Sequence, residues 1–191
     1  MVNALHRPRG HKRKKILLLG ASGQVGWELQ KLLPALGEVQ VCARSNLDLT
    51  DFDAIRRTVA AYQPDCIVNA AAYTAVDKAQ SESKLAHRIN AEAVAVLAKE
   101  SKERDTWLIH YSTDYVFDGT KLEPYVENDQ PNPINVYGWS KHEGEKAIEQ
   151  SGCKYLIFRT SWVIGAHGSN FAKTILRLAQ ARDTLNADTV S

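Results

Sequence analysis

The chain of 191 residues and 21.2 kDa has the length of one domain and is too short for two large ones. Its 44% hydrophobic and 24% charged residues are the balance of a globular protein, which excludes a disordered or fibrous chain. No apolar run approaches the ~18 residues that a membrane-spanning helix needs, and the formal net charge of +2 is unevenly spread.

Residues 1–15 carry Arg7, Arg9, Lys12, Arg13, Lys14 and Lys15 and no acid. Without those six the remainder has 18 basic against 22 acidic residues, a net of −4. A mildly acidic body argues against a nucleic-acid surface, and the leader reads as a disordered basic extension. Lys12–Lys15 followed by Ile16–Leu19 is no signal peptide, because four apolar residues fall short of the ~7–15 of a secretory core. Ile16–Leu19, bounded by Gly20, predicts a strand buried on both faces. Val25, Leu29, Leu32, Leu33 and Leu36 predict a helix over Gln24–Leu36, and Val39–Ala43 a second strand. Thr50 or Asp51 caps a helix bearing Ile55, Val59 and Tyr62, which Pro64 stops; Cys66–Val68 is a third strand. A long helix is predicted over Ser81–Arg104 and a fourth strand over Trp107–His110. Asp118–Pro133 is loop, Val136–Gln150 helix, Tyr155–Phe158 a fifth strand and Asn170–Ala181 a last helix. This alternation predicts an α/β fold, a Rossmann-type doubly wound parallel sheet with helices on both faces, over residues 16–185. Cys42, Cys66 and Cys153 lack zinc-ligand or CxxC spacing and read as reduced thiols of a cytoplasmic protein.

Gly20-Ala21-Ser22-Gly23-Gln24-Val25-Gly26 joins the first strand to the first helix. Gly20 permits a tight turn, Gly23 lets backbone approach a pyrophosphate, and Gly26 lets the helix pack close to the sheet; the helix N-terminus then faces phosphate with free N–H groups. This is the pattern of a dinucleotide site. At the end of the second strand, where an acid would take the adenosine ribose of NAD, stand Ala43 and Arg44. Arg44 either accommodates a 2′-phosphate, which favours NADPH over NADH, or is a solvated surface residue. Asp48 and Leu49 follow, reading either as an adenine contact or as a turn before a helix.

Tyr137 and Lys141 stand four apart in a predicted helix, hence on one face. A phenol with pKa ~10 is a poor acid–base group at neutral pH, and an ammonium held beside it should lower that pKa. Ser112, Thr113 and Asp114 follow the fourth strand at its C-terminal end, the edge where parallel sheets bind ligands. A hydroxyl there can hold a substrate carbonyl while Tyr137 gives it a proton. The small residues of Asn69-Ala70-Ala71-Ala72-Tyr73 leave room for a cofactor or serve a tight core.

Together with Val68–Asp77, Tyr111–Phe117, Tyr137-Gly138-x-Ser140-Lys141 and Phe158–Val163, the glycine turn resembles the extended short-chain dehydrogenase/reductases, and within them the dTDP-4-dehydrorhamnose reductases. The resemblance runs from about Ile16 to Leu185, five motifs in order. It implies that Tyr137 is the proton donor, Lys141 its partner and Thr113 the third catalytic group. It implies that Gly23, Gln24 and Val25 meet the pyrophosphate and that Asp48, Leu49, Ala72, Tyr73, Thr74 and Tyr111 line the cofactor. Thr113, Asp114 and Trp162 would touch a dTDP-sugar, and hydride would pass from NADPH, or NADH, to C4 of dTDP-4-dehydro-L-rhamnose. The longer family members imply a homodimer, and neither nucleic acid nor membrane is an expected partner.

Three departures stand out: the basic leader, Trp139 at a variable position, and the divergent tail 186–191, where the family continues into a substrate-binding portion. A shortened, inactive chain is therefore one expectation. Glu28 matches one position of a metal site found in some members, but the other ligands lie in that further portion, so no metal is expected. Two other functions fit the same motifs: a non-catalytic cofactor-binding regulatory subunit, like that of methionine adenosyltransferase, and a sugar-nucleotide epimerase or dehydratase. Tyr137, Lys141 and Thr113 together favour the enzyme.

Overall fold

A computed structural model describes residues 13–181. Most of the basic leader and the tail 186–191 lie outside the described residues. Five strands form one parallel sheet: β1 (Lys14–Leu19), β2 (Gly37–Cys42), β3 (Cys66–Asn69), β4 (Trp107–Thr113) and β5 (Lys154–Thr160). Their order is β2-β1-β3-β4-β5. The order reverses between β1 and β3, and such a switch point opens a crevice beyond the strand C-termini. The doubly wound parallel sheet expected from the alternation is present.

Helix α1 (Gln24–Leu32) ends earlier than its apolar spacing predicts and tightens into a 3₁₀ turn, Leu33–Ala35. Pro34 lacks the N–H that would continue the α-helix. Asp51 caps α2 (Phe52–Tyr62), its carboxylate accepting from the Ala54 N–H at 2.8 Å. A short α3 (Val76–Ala79), unmarked in the apolar pattern, precedes the long helical stretch. That stretch is α4 (Ser83–His87), a π-helical turn (Arg88–Glu92) and α5 (Ala93–Glu103). Asn135 caps α6 (Val136–Ser151) by accepting from the Gly138 N–H at 2.8 Å, and Gly152 closes it in the left-handed conformation at φ 66°. The last helix is α7 (Phe171–Ala181).

The apolar residues sort onto the two sheet faces. Leu17, Leu19, Ile67 and Leu108 meet Ile55 and Val59 of α2, Val94 and Leu97 of α5, and Ile148 of α6. On the opposite face Ile16, Leu18 and Val68 pack under Leu29 and Leu33. Leu156 and Phe158 of β5 remain about half exposed, at 47% and 45%.

Two contacts anchor α6. A Cβ on Gly144 would lie 2.2 Å from the Asn90 carbonyl oxygen, so the helix meets the π turn backbone to backbone. At the next residue, the Glu145 carboxylate is buried and takes a forked pair of bonds from Arg159 of β5, at 2.7 and 3.1 Å. Arg159→Met keeps most of the volume but strands that carboxylate. It is expected to lower the unfolding free energy by about 3 kcal/mol in urea titration. A loss under about 1 kcal/mol would show that the pair does not hold α6.

Candidate active site

The switch-point crevice is a cleft of about 720 Å³ along the C-terminal edge of the sheet. At its floor Gly20 adopts φ 78°, and a Cβ there would fall 2.4 Å from the Ala71 nitrogen. Only glycine lets the first turn come this close to the end of β3. Gly23 begins α1, whose N-terminus has no side-chain cap and opens on the cleft with Gln24 and Val25. Gly26 does not line the cleft. Its Cβ would sit 2.1 Å from the Gly20 oxygen, so its role is the close packing of α1 on the turn.

Arg44, Asp48 and Leu49 border the cleft beyond β2. Arg44 is largely exposed, with its Nε 3.9 Å from the Asp48 carboxylate. The Thr50 N–H and hydroxyl both donate to that carboxylate, which holds the Asp48 pKa below its ordinary value. Ala72, Tyr73 and Thr74 continue the wall after β3. Asn90, in the π turn, clamps this wall: it accepts from the Tyr73 N–H at 2.8 Å and donates to the Tyr73 carbonyl at 3.0 Å and to Ser140 Oγ at 3.0 Å.

At the end of β4 stand Tyr111, Thr113 and Asp114. Asp114 accepts from Thr113 at 3.2 Å and from Ser161 at 2.6 Å. Tyr137 is buried against the edge of Tyr115. Burial raises its pKa above the ordinary phenol value, and the nearby Thr113 hydroxyl works in the opposite direction. This corrects the expectation that Lys141 lowers the phenol's pKa. The Lys141 ammonium-bearing end is spent elsewhere, donating to the Tyr111 carbonyl at 2.7 Å and meeting His110 Nε2 at 3.2 Å. Lys141 is wholly buried, which pushes its pKa down to about 8, while Glu145 pulls it the other way.

Trp162 borders the cleft at φ 50°, two-thirds exposed, with its ring edge-on to Phe171. The segment after it folds back over the glycine turn. His167 bonds the Ser22 carbonyl at 3.1 Å and stacks on Trp27 at 4.2 Å, and Asn170 donates to Gln24 at 3.0 Å. Sequence reasoning singled out none of Asn90, His110, Ser161 and His167. For Asn90 and His110 the signal was available: a polar residue at an inward position of an apolar helix or strand. Among the described residues no three His, Cys, Asp or Glu side chains cluster as metal ligands, and Glu28 is paired with Lys31 at 3.0 Å.

The model of the RmlD substrate binding domain matches residues 14–189. The chain belongs to this RmlD family. It is 51% identical over 171 residues to the dTDP-4-dehydrorhamnose reductase of Burkholderia thailandensis, a match covering 90% of this chain and 57% of that relative. The crystal structure of dTDP-4-dehydrorhamnose reductase from Bacillus anthracis in complex with NADP superposes with a TM-score of 0.85 at 39% identity, over 89% of this chain and 61% of that one. The orthologue from Clostridium acetobutylicum gives 0.86 at 40% identity, over 90% and 61%. The chain thus spans somewhat over half the length of the RmlD relatives it matches.

The buried Lys141 makes stability depend on pH. Between pH 8 and its ordinary value of 10.5 the unfolded chain binds more protons at this residue than the folded one. Its contribution to the unfolding free energy therefore rises with pH across that window. Lys141→Met removes the dependence: the stability advantage of the methionine variant over wild type should shrink by about 2 kcal/mol from pH 7 to pH 10. A pH-independent difference would show that Lys141 titrates as in free solution.

Proposed function

We propose that this chain binds NADPH and delivers a proton in the reduction of dTDP-4-dehydro-L-rhamnose to dTDP-L-rhamnose. The observation that carries the reading is one continuous cleft, with the glycine turn at one end and Tyr137 beside Thr113 at the other. The names of the relatives and the NADP bound in the Bacillus anthracis structure support it.

The cradle fits a dinucleotide. A pyrophosphate would meet the uncapped start of α1 at Gly23, Gln24 and Val25. Ala72, Tyr73, Thr74 and Tyr111 would flank the nicotinamide half, with Arg44, Asp48 and Leu49 at the adenosine end. Exposed Arg44 is free to swing toward a 2′-phosphate, which favours NADPH. A bound nicotinamide supplies the hydride. Tyr137 holds the proton at its hydroxyl, and its raised pKa keeps it protonated, as a donor to a carbonyl oxygen must be. Thr113 orients that hydroxyl. Lys141 is placed by its helix on the Tyr137 face, reaching the ribose side. Asp114 and Trp162 are the residues this chain offers to the sugar nucleotide. No helix among the described residues is long and apolar enough to cross a membrane. The unpaired thiols of Cys42, Cys66 and Cys153 fit a cytoplasmic setting, and a homodimer of a longer form belongs to the same reading.

Tyr137→Phe keeps the ring and removes the proton. It should cut NADPH-dependent reduction of the keto sugar nucleotide by ~10²–10⁴-fold while leaving NADPH affinity nearly unchanged. Turnover equal to wild type would refute the proton-donor assignment. Consumption of NADPH with product formation separates the reductase from an epimerase, which shows no net consumption.

The same reading predicts that Gly23→Val abolishes NADPH binding. A Cβ at Gly23 already meets the Gly20 oxygen at 3.4 Å, and the added methyls would stand where the phosphates must approach. Calorimetric titration giving wild-type affinity would make the turn purely structural.

A further inference from the structure

His110 takes no part in the reading above, yet it is fully buried behind the catalytic edge and both ring nitrogens are engaged. Its Nδ1 lies 3.1 Å from the Asn69 amide nitrogen and its Nε2 lies 3.2 Å from Lys141 Nζ. Burial, with Lys141 beside it, holds its pKa well below that of a free imidazole, so the ring is neutral and carries one N–H. Asn69 decides which nitrogen bears it. The Asn69 carbonyl oxygen accepts from the Ala71 N–H at 3.2 Å, and turning the amide over would set its NH₂ against that N–H. The Asn69 amide nitrogen therefore donates to Nδ1, and the ring proton stands on Nε2, aimed at Lys141. A donor aimed at Nζ suits the lone pair of an amine and opposes an ammonium, and Nζ is left to donate to the Tyr111 carbonyl.

We propose that Asn69 and His110 are positioning residues for Lys141, Asn69 locking His110 as the Nε2–H tautomer and that N–H favouring the neutral amine at Nζ. Three buried side chains from β3, β4 and α6 thereby share one proton arrangement that fixes both where Lys141 sits and how tightly it holds its charge. The ionisable groups around them act in known directions. Glu145 of α6 favours the ammonium, but it is itself engaged by Arg159 of β5 and has His142 Nδ1 at 3.6 Å. Tyr111 of β4 and Tyr137 of α6 both have raised pKa values and are uncharged near neutral pH. The lowered pKa of Lys141 agrees with the same arrangement.

The bearing on catalysis rests on the reductase reading, but the test does not, because the tautomer is read with no cofactor or substrate added. Two-bond ¹H–¹⁵N spectra of the ¹⁵N-histidine-labelled 191-residue chain at pH 9 should show His110 as neutral Nε2–H. The ring is assigned by its loss in His110→Gln or by Overhauser contacts to Lys141. An Nδ1–H ring or an imidazolium overturns the proposal, and this measurement needs no variant to fold. In Asn69→Asp both side-chain oxygens accept, so the ring should switch to Nδ1–H and offer its Nε2 lone pair to an ammonium. The Lys141 titration, followed at its ¹³Cε, should then move up by about 1–2 pH units. An Asn69→Asp protein that keeps Nε2–H, or an unmoved Lys141 titration, overturns the lock. A merely space-filling Asn69 would leave the ring as Nε2–H, whatever the added carboxylate does to the Lys141 titration.

Discussion

A lysine with no access to water is the constraint around which this structure is arranged. Burying an ammonium without partners is prohibitively costly, so Lys141 must be met by polar groups from other elements. The partners are the Tyr111 carbonyl and the His110 ring, both on β4, with Asn69 of β3 behind the ring. Satisfying them sets the height and rotation of α6 against the sheet. Once α6 is so placed, Tyr137, one turn earlier, lies beside Thr113 with no further device. The Glu145–Arg159 pair and the contact of Gly144 with the π turn hold the same helix from its other sides.

The opposite end of the cleft obeys a steric constraint instead of an electrostatic one. Gly20 presses against Ala70 and Ala71, and Gly26 presses against Gly20. Strand, turn and helix can then approach more closely than any side chain allows, and the uncapped start of α1 is left at the crevice floor. One end of the cleft is thus shaped for a phosphate and the other for a proton. The residues between them are mainly alanine and tyrosine on short loops.

Dependence on a few close contacts also explains where strictly local reasoning went astray. The amphipathic spacing of Ser81–Arg104 reads as one helix, but Asn90 must reach Tyr73 and Ser140 together, and the helix widens there into a π turn. Strands β4 and β5 extend past their apolar cores, to Thr113 and Thr160. Ladder hydrogen bonds to a neighbouring strand continue wherever the register permits, whatever the polarity of the residue. Motif spacing alone does not distinguish a glycine facing a ligand from one facing its own backbone, and Gly26 faces the Gly20 oxygen.

By itself the sequence determined the alternation of strands and helices, the parallel sheet, the glycine turn and the pairing of Tyr137 with Lys141 on one helical face. These follow from short-range causes: apolar periodicity, the conformational freedom of glycine, and helical geometry. Only the tertiary structure decided that the strands run β2-β1-β3-β4-β5, that Asn90 clamps the Tyr73 wall, and that Lys141 meets His110 instead of lowering the Tyr137 pKa. Each of these joins residues distant in the chain, and its energy depends on burial, which no stretch of sequence specifies until the helices have closed over the sheet.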